Sequence, residues 1–225
     1  MASSSSSGPD SPPPPPPDRA ALREAALAHL ARFGTTRHGL EQVLARRVSR
    51  WERAALKAGA EADEVSAAVA ALKPVIQAVA ADMVQLGAVN DEAFARARAK
   101  KLVRSGRSGK AVQAHLAARG VEADVRNVAL QDVVEGFSPQ ETELSAALVL
   151  ARKRRLGPFA GRPSLRASSY EEEEGQDERQ KAMAERQRAL GVLARSGYGR
   201  DVAERVLDME PEEAGRWMER LRSES

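Results

Sequence analysis

The chain has 225 residues and no cysteine, with 35 Lys and Arg against 32 Asp and Glu for a formal charge of +3. Disulfides and thiolate metal sites are thereby excluded, and so small an excess of positive charge argues for nucleic-acid binding only if the charges cluster. Hydrophobic residues make up 42% but aromatics only 4%, so the core is expected to be alanine and leucine on helices. No apolar run reads as long enough to span a bilayer, and the N-terminus lacks the basic start and apolar stretch of a secretory signal.

Residues 1–17, serines and then Pro12 to Pro17, read as a disordered tail in which polyproline is extended and solvated. Asp18 caps a first helix with Ala21, Leu22, Ala25, Ala28 and Leu30 on its apolar face, stopping near Gly34. Thr35 or Thr36 caps a second, through Leu40, Val43 and Leu44. It passes Arg47 into a long alanine-rich pattern (Trp51, Ala54, Leu56, Val65, Val69, Leu72) that Gly59 breaks. Pro74 lies inside this pattern and predicts a kink or a restart. Val75, Val79, Met83 and Leu86 then form a stripe ending at Gly87.

Asn90 caps the next helix, and Asp91 and Glu92 suit its positive end. Phe94, Ala95, Ala99 and Leu102 share one face. Arg98 falls within that stripe, so it must snorkel or line a groove. Gly106 stops this helix and Ser108 starts another, with Val112 and Leu116 inward. Gly120 ends that one, and a short helix carries Val125, Val128 and Ala129. Ser138-Pro139-Gln140-Glu141 joins a serine cap, a proline in the first turn and a glutamate three residues after the cap, ahead of Leu144, Ala147, Leu148 and Ala151. Residues 157–178, with Gly157, Pro158, Gly161, Pro163 and a Ser/Glu run, predict a flexible linker. Met183, Leu190 and Leu193 mark another helix, a short one follows Gly197, and Pro211 opens the last, with Ala214, Trp217, Met218 and Leu221 on one face.

One phrase occurs twice. Leu116-Ala-Ala-Arg119-Gly120-Val121 and Leu193-Ala-Arg195-Ser-Gly197-Tyr198 each close an apolar stripe with a leucine, a basic residue and a glycine. Val121, Val125, Ala129 and Leu130 then follow Gly120 at the offsets at which Tyr198, Val202, Val206 and Leu207 follow Gly197. The fold class is therefore all-α with a repeated helical unit. The grouping is a first unit at 18–87, enlarged in its middle, a second at 88–136, and a third at 137–222 interrupted by the linker. Stacked units of this kind offer extended surface rather than a catalytic pocket.

The charges do cluster. Lys100 to Lys110 holds five basic residues and no acid, and Arg152 to Arg166 holds six and no acid. Such clusters neutralise phosphates or meet an acidic protein face, although helix C-termini attract cations in any case. The turn at Gly106–Gly109 also offers amides at a helix start for a phosphate or carboxylate. The candidate binding surface is Arg104, Arg107, Lys110 and Arg119, with Lys153, Arg154 and Arg155. The run Glu171 to Glu174 reads as solvated linker. His29, His38 and His115 are scattered without metal-ligand spacing, and no phosphate-loop or nucleophile-elbow signature occurs. No catalytic residue, metal or cofactor is expected. Trp51 and Trp217 read as buried rather than partner-binding.

Gly87-Ala-Val-Asn-Asp91-Glu-Ala-Phe94-Ala95 resembles the G-x-hydrophobic-D-D-x-x-F-A segment of the RecX family of recombination regulators, with Asn90 for the first aspartate. The likeness continues through Gly106-Arg-Ser108, the Leu116–Val121 phrase and the stretch from Leu193 to Val206, covering about residues 75–208 in pieces. The first unit departs from the family, because Leu44-Ala-Arg-Arg47-Val48 runs straight on where a basic residue and glycine usually break the chain. Tyr198 also replaces a common phenylalanine, and the linker is bulky. The resemblance implies tandem three-helix units in an elongated, curved array. It further implies a regulator that binds RecA recombinase filaments, with DNA inside them, and modulates or inhibits ATP hydrolysis and strand exchange. The lack of cysteine, of an apolar span and of a signal reads as a soluble, cytoplasmic protein, expected to be a monomer and not an enzyme. The residues alone leave a second reading open, a helical module that binds DNA without sequence preference.

Overall fold

In a computed structural model the described residues are 12–131, 133, 136–160 and 174–223. Among them the chain forms ten α-helices and no strand. They are α1 (Arg19–Leu30), α2 (Arg37–Lys57), α3 (Ala62–Gln85), α4 (Asp91–Arg104), α5 (Gly109–Ala117), α6 (Ala123–Gln131), α7 (Pro139–Arg154), α8 (Glu174–Arg195), α9 (Arg200–Asp208) and α10 (Pro211–Ser223). The fold class is all-α, as the patterning implies. The chain divides into two compact units that part between Phe94 and Ala95.

In the N-terminal unit, helix starts follow the caps. Asp18 accepts from the Ala21 amide at 2.7 Å and Thr36 from the Gly39 amide at 2.9 Å, each satisfying a donor that the first helical turn leaves open. Helices α1, α2 and α3 bury Leu22, Ala26, Leu40, Leu44, Val48, Leu72, Ile76, Val79, Ala80 and Met83 in one cluster. Each buried leucine there contributes about 1.5–3 kcal/mol of transfer free energy.

Three expectations are corrected here. Pro74 does not restart the helix but sits inside the continuous α3. Leu72 before it and Ile76, Val79 and Met83 after it all enter the same core, so packing outweighs the lost backbone hydrogen bond. Leu86, read as the end of the buried stripe, is 61% exposed. Finally, α3 is long and apolar enough by length and composition to cross a membrane, with a mean hydropathy of 1.5 over an 18-residue window. The alanines on its exposed side raise that average, while its larger side chains pack on α1 and α2. The whole proline run, Pro12–Pro17, is described, and the indole N–H of Trp51 donates to the Pro14 carbonyl at 2.8 Å. Residues 1–11 lie outside the described residues.

The C-terminal unit is organised on α7. Thr142, every residue from Leu144 to Val149, and Ala151 are buried, so this helix is covered around almost its whole circumference. It begins with the expected capping box: Ser138 Oγ accepts from the Glu141 amide at 3.2 Å, and Glu141 accepts from the Ser138 amide at 2.8 Å. Helices α9 and α10 pack on it, as does a 3-10 turn at Gly157–Phe159. Helix α8 begins at Glu174, inside the stretch read as linker. Met183, read as an apolar marker of this helix, is 72% exposed, whereas Ala189 and Leu193 are buried. The α10 end is fastened by Arg220, which donates to Glu141 at 3.1 Å and to the Gly136 carbonyl at 3.0 Å and lies 4.4 Å from the Phe137 ring centre.

The repeated phrase folds the same way twice. The Gly120 amide donates to Ala117 and the Val121 amide to Leu116, at 2.9 and 3.1 Å; Gly197 donates to Ala194 and Tyr198 to Leu193, at 2.9 and 3.2 Å. Both glycines take positive φ, 73° and 91°, which closes the helix by the left-handed stop that glycine favours. Val121 and Ala129 are buried, as are their counterparts Tyr198 and Val206. Helices α6 and α9, which follow, are each nine residues long.

Candidate basic interface

The turn from Ser105 to Lys110 carries the first basic cluster, and neighbouring elements hold it from several sides. Helix α4 ends with the Gly106 amide on Val103 and the Arg107 amide on Leu102, at 2.8 and 3.1 Å. Gly106 lies so close to α7 that a Cβ there would fall 2.9 Å from the Leu150 nitrogen. Ser108, fully buried, accepts from the Ala111 amide at 3.2 Å as the cap of α5 and donates to the Ser196 carbonyl at 2.7 Å. The Gly109 amide donates to Glu143 Oε2 at 2.8 Å. Burial raises the Glu143 carboxyl above its ordinary value; the Gly109 bond opposes this and nearby Asp201 adds to it. Lys153 of α7 donates to the Ser105 carbonyl at 2.8 Å.

These bonds correct one expectation. The amides at Gly109 and Ala111 are already used by Glu143 and Ser108, so they are closed to an incoming phosphate. The cations must act through their side chains. Arg107 and Lys110 are exposed on the turn, Arg119 is exposed at the end of α5, and Lys153 is exposed beside the turn it steadies. Arg104 is half-buried, with Nε and Nη2 covered and unpartnered among the described residues. Arg154 is exposed at the end of α7.

Arg155 is placed differently. It adopts a left-handed conformation, φ 55° and ψ 51°, just past α7. It lines a cleft of about 500 Å³ with Arg186, Arg188, Leu156, Val192 and Leu207. Arg186 there is paired with Asp208, Nη2 to Oδ2 at 3.0 Å. The two clusters thus meet at Lys153 and diverge at Arg155. Consecutive helical residues point about 100° apart, so a run of four cations at a helix end spreads over more than one face. Arg162 and Arg166 lie outside the described residues.

Sequence reading passed over a pair of side chains. Arg98 Nε donates to His115 Nε2 at 3.0 Å, joining α4 to α5. The ring is held below its ordinary pKa by burial, then by Arg98, Arg119 and Arg107. The signal in the sequence was an arginine inside an apolar stripe; its partner, 17 residues on, was invisible without the helix crossing. Among the described residues no group of three or more His, Asp or Glu side chains is gathered to hold a metal ion.

No family model matches the chain, and no solved structure does. It is 34% identical over 190 residues to the regulatory protein RecX of Myxococcus xanthus (strain DK1622), an alignment that covers 84% of this chain and 86% of that relative. Such identity, sustained over nearly the whole length of both proteins and joined to an all-helical fold, establishes kinship: the chain belongs to the RecX family of regulatory proteins.

Proposed function

We propose that this protein is a cytoplasmic, monomeric, non-enzymatic regulator that binds RecA recombinase filaments and lowers their ATP hydrolysis and strand exchange. The observation that carries the reading is the near full-length similarity to a protein named RecX. The basic turn supports it. Arg107 and Lys110 project from a loop tied to α7 and to the α8–α9 turn, so they are presented with little ordering cost on binding. A filament repeats its surface, and contacts that are weak singly become strong once later ones are intramolecular. A protein lodged along the filament restrains the subunit motions that couple nucleotide hydrolysis to strand exchange.

Co-sedimentation with RecA filaments, paired with DNA-dependent ATP hydrolysis, tests this. The wild-type chain is expected in the pellet with hydrolysis reduced. The combined Arg107→Ala, Lys110→Ala, Arg119→Ala and Arg154→Ala variant should bind about tenfold more weakly or worse, equivalent to ~1.4 kcal/mol, with unchanged helicity. No capture and no change in hydrolysis by well-folded wild-type protein defeats the reading; undiminished capture of the variant removes the surface. A second reading, direct binding to DNA phosphates, is favoured by the exposed Arg107 and Lys110 on the turn with exposed Lys153 beside it. It predicts equal affinity for naked DNA and steep loss of binding as salt rises.

A further inference from the structure

The prolines Pro12–Pro17 run directly into the start of α1. Each ring fixes φ near about −65°, and each of Pro12–Pro16 precedes another proline, which disfavours the helical region of its backbone. The run is thereby confined to the extended polyproline II helix, with about three residues per turn and no internal hydrogen bond. Asp18 prolongs this path, at φ −79° and ψ 177°, up to the first turn of α1. Trp51, read from the sequence as buried, is only half-buried. On α2 it lies between Val48 and Ala55, both buried, and it packs against the core of the N-terminal unit. Its N–H edge reaches outward to the Pro14 carbonyl at 2.8 Å.

We propose that Trp51 marks a binding site on α2 for a segment in the polyproline II conformation, and that its resident ligand is the chain's own Pro12–Pro17. The two partners fit chemically. Proline has no N–H, so a polyproline run cannot use its own carbonyls and presents them outward. An indole N–H donates and cannot accept, and the ring beside it is a flat apolar platform of the kind on which proline-rich segments dock. Pro14, which accepts the bond, and Pro17 lie one turn of that helix apart. Pro17 is half-buried while Pro12–Pro16 are exposed, as expected of a stiff rod that touches a surface along one edge.

A stiff run loses little conformational freedom on docking. It is also tethered, because Pro17 adjoins the start of α1, where Asp18 accepts from the Ala21 amide at 2.7 Å. A short tether presents its segment at an effective concentration of about millimolar or more, so a site too weak to hold a dilute free peptide is filled within the chain. The run is thus a strap across α2, and a proline-rich segment of another protein reaches Trp51 only by displacing it. All these residues belong to the N-terminal unit and none to the basic turn, so the inference stands apart from the regulator reading.

The indole N–H signals of the full chain in proton–nitrogen correlation spectra give the test. There are two tryptophans, and loss of one signal in Trp217→Phe leaves the other as Trp51. The comparison protein is the full chain with Pro12→Ser, Pro13→Ser, Pro14→Ser, Pro15→Ser and Pro16→Ser together, changes that lie outside every helix and leave Pro17 and the Asp18 cap in place. Its helicity should be unchanged, and its Trp51 indole proton should exchange with water about tenfold faster than in the wild type. Hexaproline added to the serine variant should return the Trp51 signal toward its wild-type position, with a dissociation constant of about a millimolar. The wild type should need about tenfold more of the peptide for any response, because its own run competes. A glycine–serine hexapeptide should move neither. Equal indole exchange in the two proteins overturns the inference, as does a serine variant that ignores hexaproline or responds as well to the glycine–serine peptide. A wild-type Trp51 signal that moves on dilution places the run on a second copy and overturns its assignment as a strap within one chain.

Discussion

Replacing Gly106 by alanine should destabilise the C-terminal unit by about 2–5 kcal/mol. Gly106 has φ 84°, where an L-residue costs roughly 1–2 kcal/mol. Its new Cβ would also lie 2.9 Å from the Leu150 nitrogen, 3.2 Å from the Leu150 Cα and 3.2 Å from the Val149 Cγ1. Two of these are backbone atoms of the buried α7, which has nowhere to retreat, and overpacking of this kind costs about 1–3 kcal/mol. Gly87→Ala supplies the comparison. Gly87 has φ 71°, with nothing within 4 Å of its would-be Cβ, so it should show the backbone cost of ~1–2 kcal/mol alone. Trp51 lies in one unit and Trp217 in the other, so urea unfolding can be followed unit by unit in Trp51→Phe and Trp217→Phe backgrounds. Equal losses for the two glycine variants would refute the close packing of the basic turn on α7.

Ser138→Ala removes one half of the capping box and should cost about 1 kcal/mol in the same urea assay. Glu141 is held below its ordinary value by its hydrogen bonds with Ser138 and then by Arg220. A depressed carboxyl contributes stability above its ordinary pKa near 4.5 and loses it as pH falls through the depressed value. Acid unfolding followed by Trp217 should accordingly be less steep in Ser138→Ala than in the wild type; identical acid curves would contradict the box. Tyr198→Phe should be neutral or stabilising by up to ~1 kcal/mol, because the buried hydroxyl has no hydrogen-bond partner among the described residues. Burial and then Glu143 push that phenol well above its ordinary range. A loss greater than ~1 kcal/mol on urea unfolding would reveal a partner for the hydroxyl.

Local chemistry was readable in the sequence. Asp18, Thr36, Asn90, Ser108 and Ser138 all accept an amide at the start of a helix, because capping depends on three or four neighbouring residues. The repeated phrase was readable for the same reason. What escaped depends on contacts far along the chain. Pro74 continues a helix because residues on both sides of it reach one core. Lys153 and Ser105, 48 residues apart, meet across α7, and Arg98 finds His115 across α4 and α5. Charge clustering drew attention to Lys153, Arg154 and Arg155 together, yet it contains no information about the direction in which each side chain leaves a helix. Arg155 consequently lines the cleft with α8 while Lys153 faces the turn.

The wrapping of α7 bears on how such a protein can be divided or rebuilt. The shape of the Ser105–Lys110 loop is written partly in Glu143, Leu150, Lys153 and Ser196, all of which come later in the chain. A fragment cut at residue 136 would keep the arginine and lysine letters of that loop and lose the walls that mould them. Swapping helical repeats between relatives would need to carry the matching α7 surface along with the loop, or the transplanted cations would arrive without their geometry.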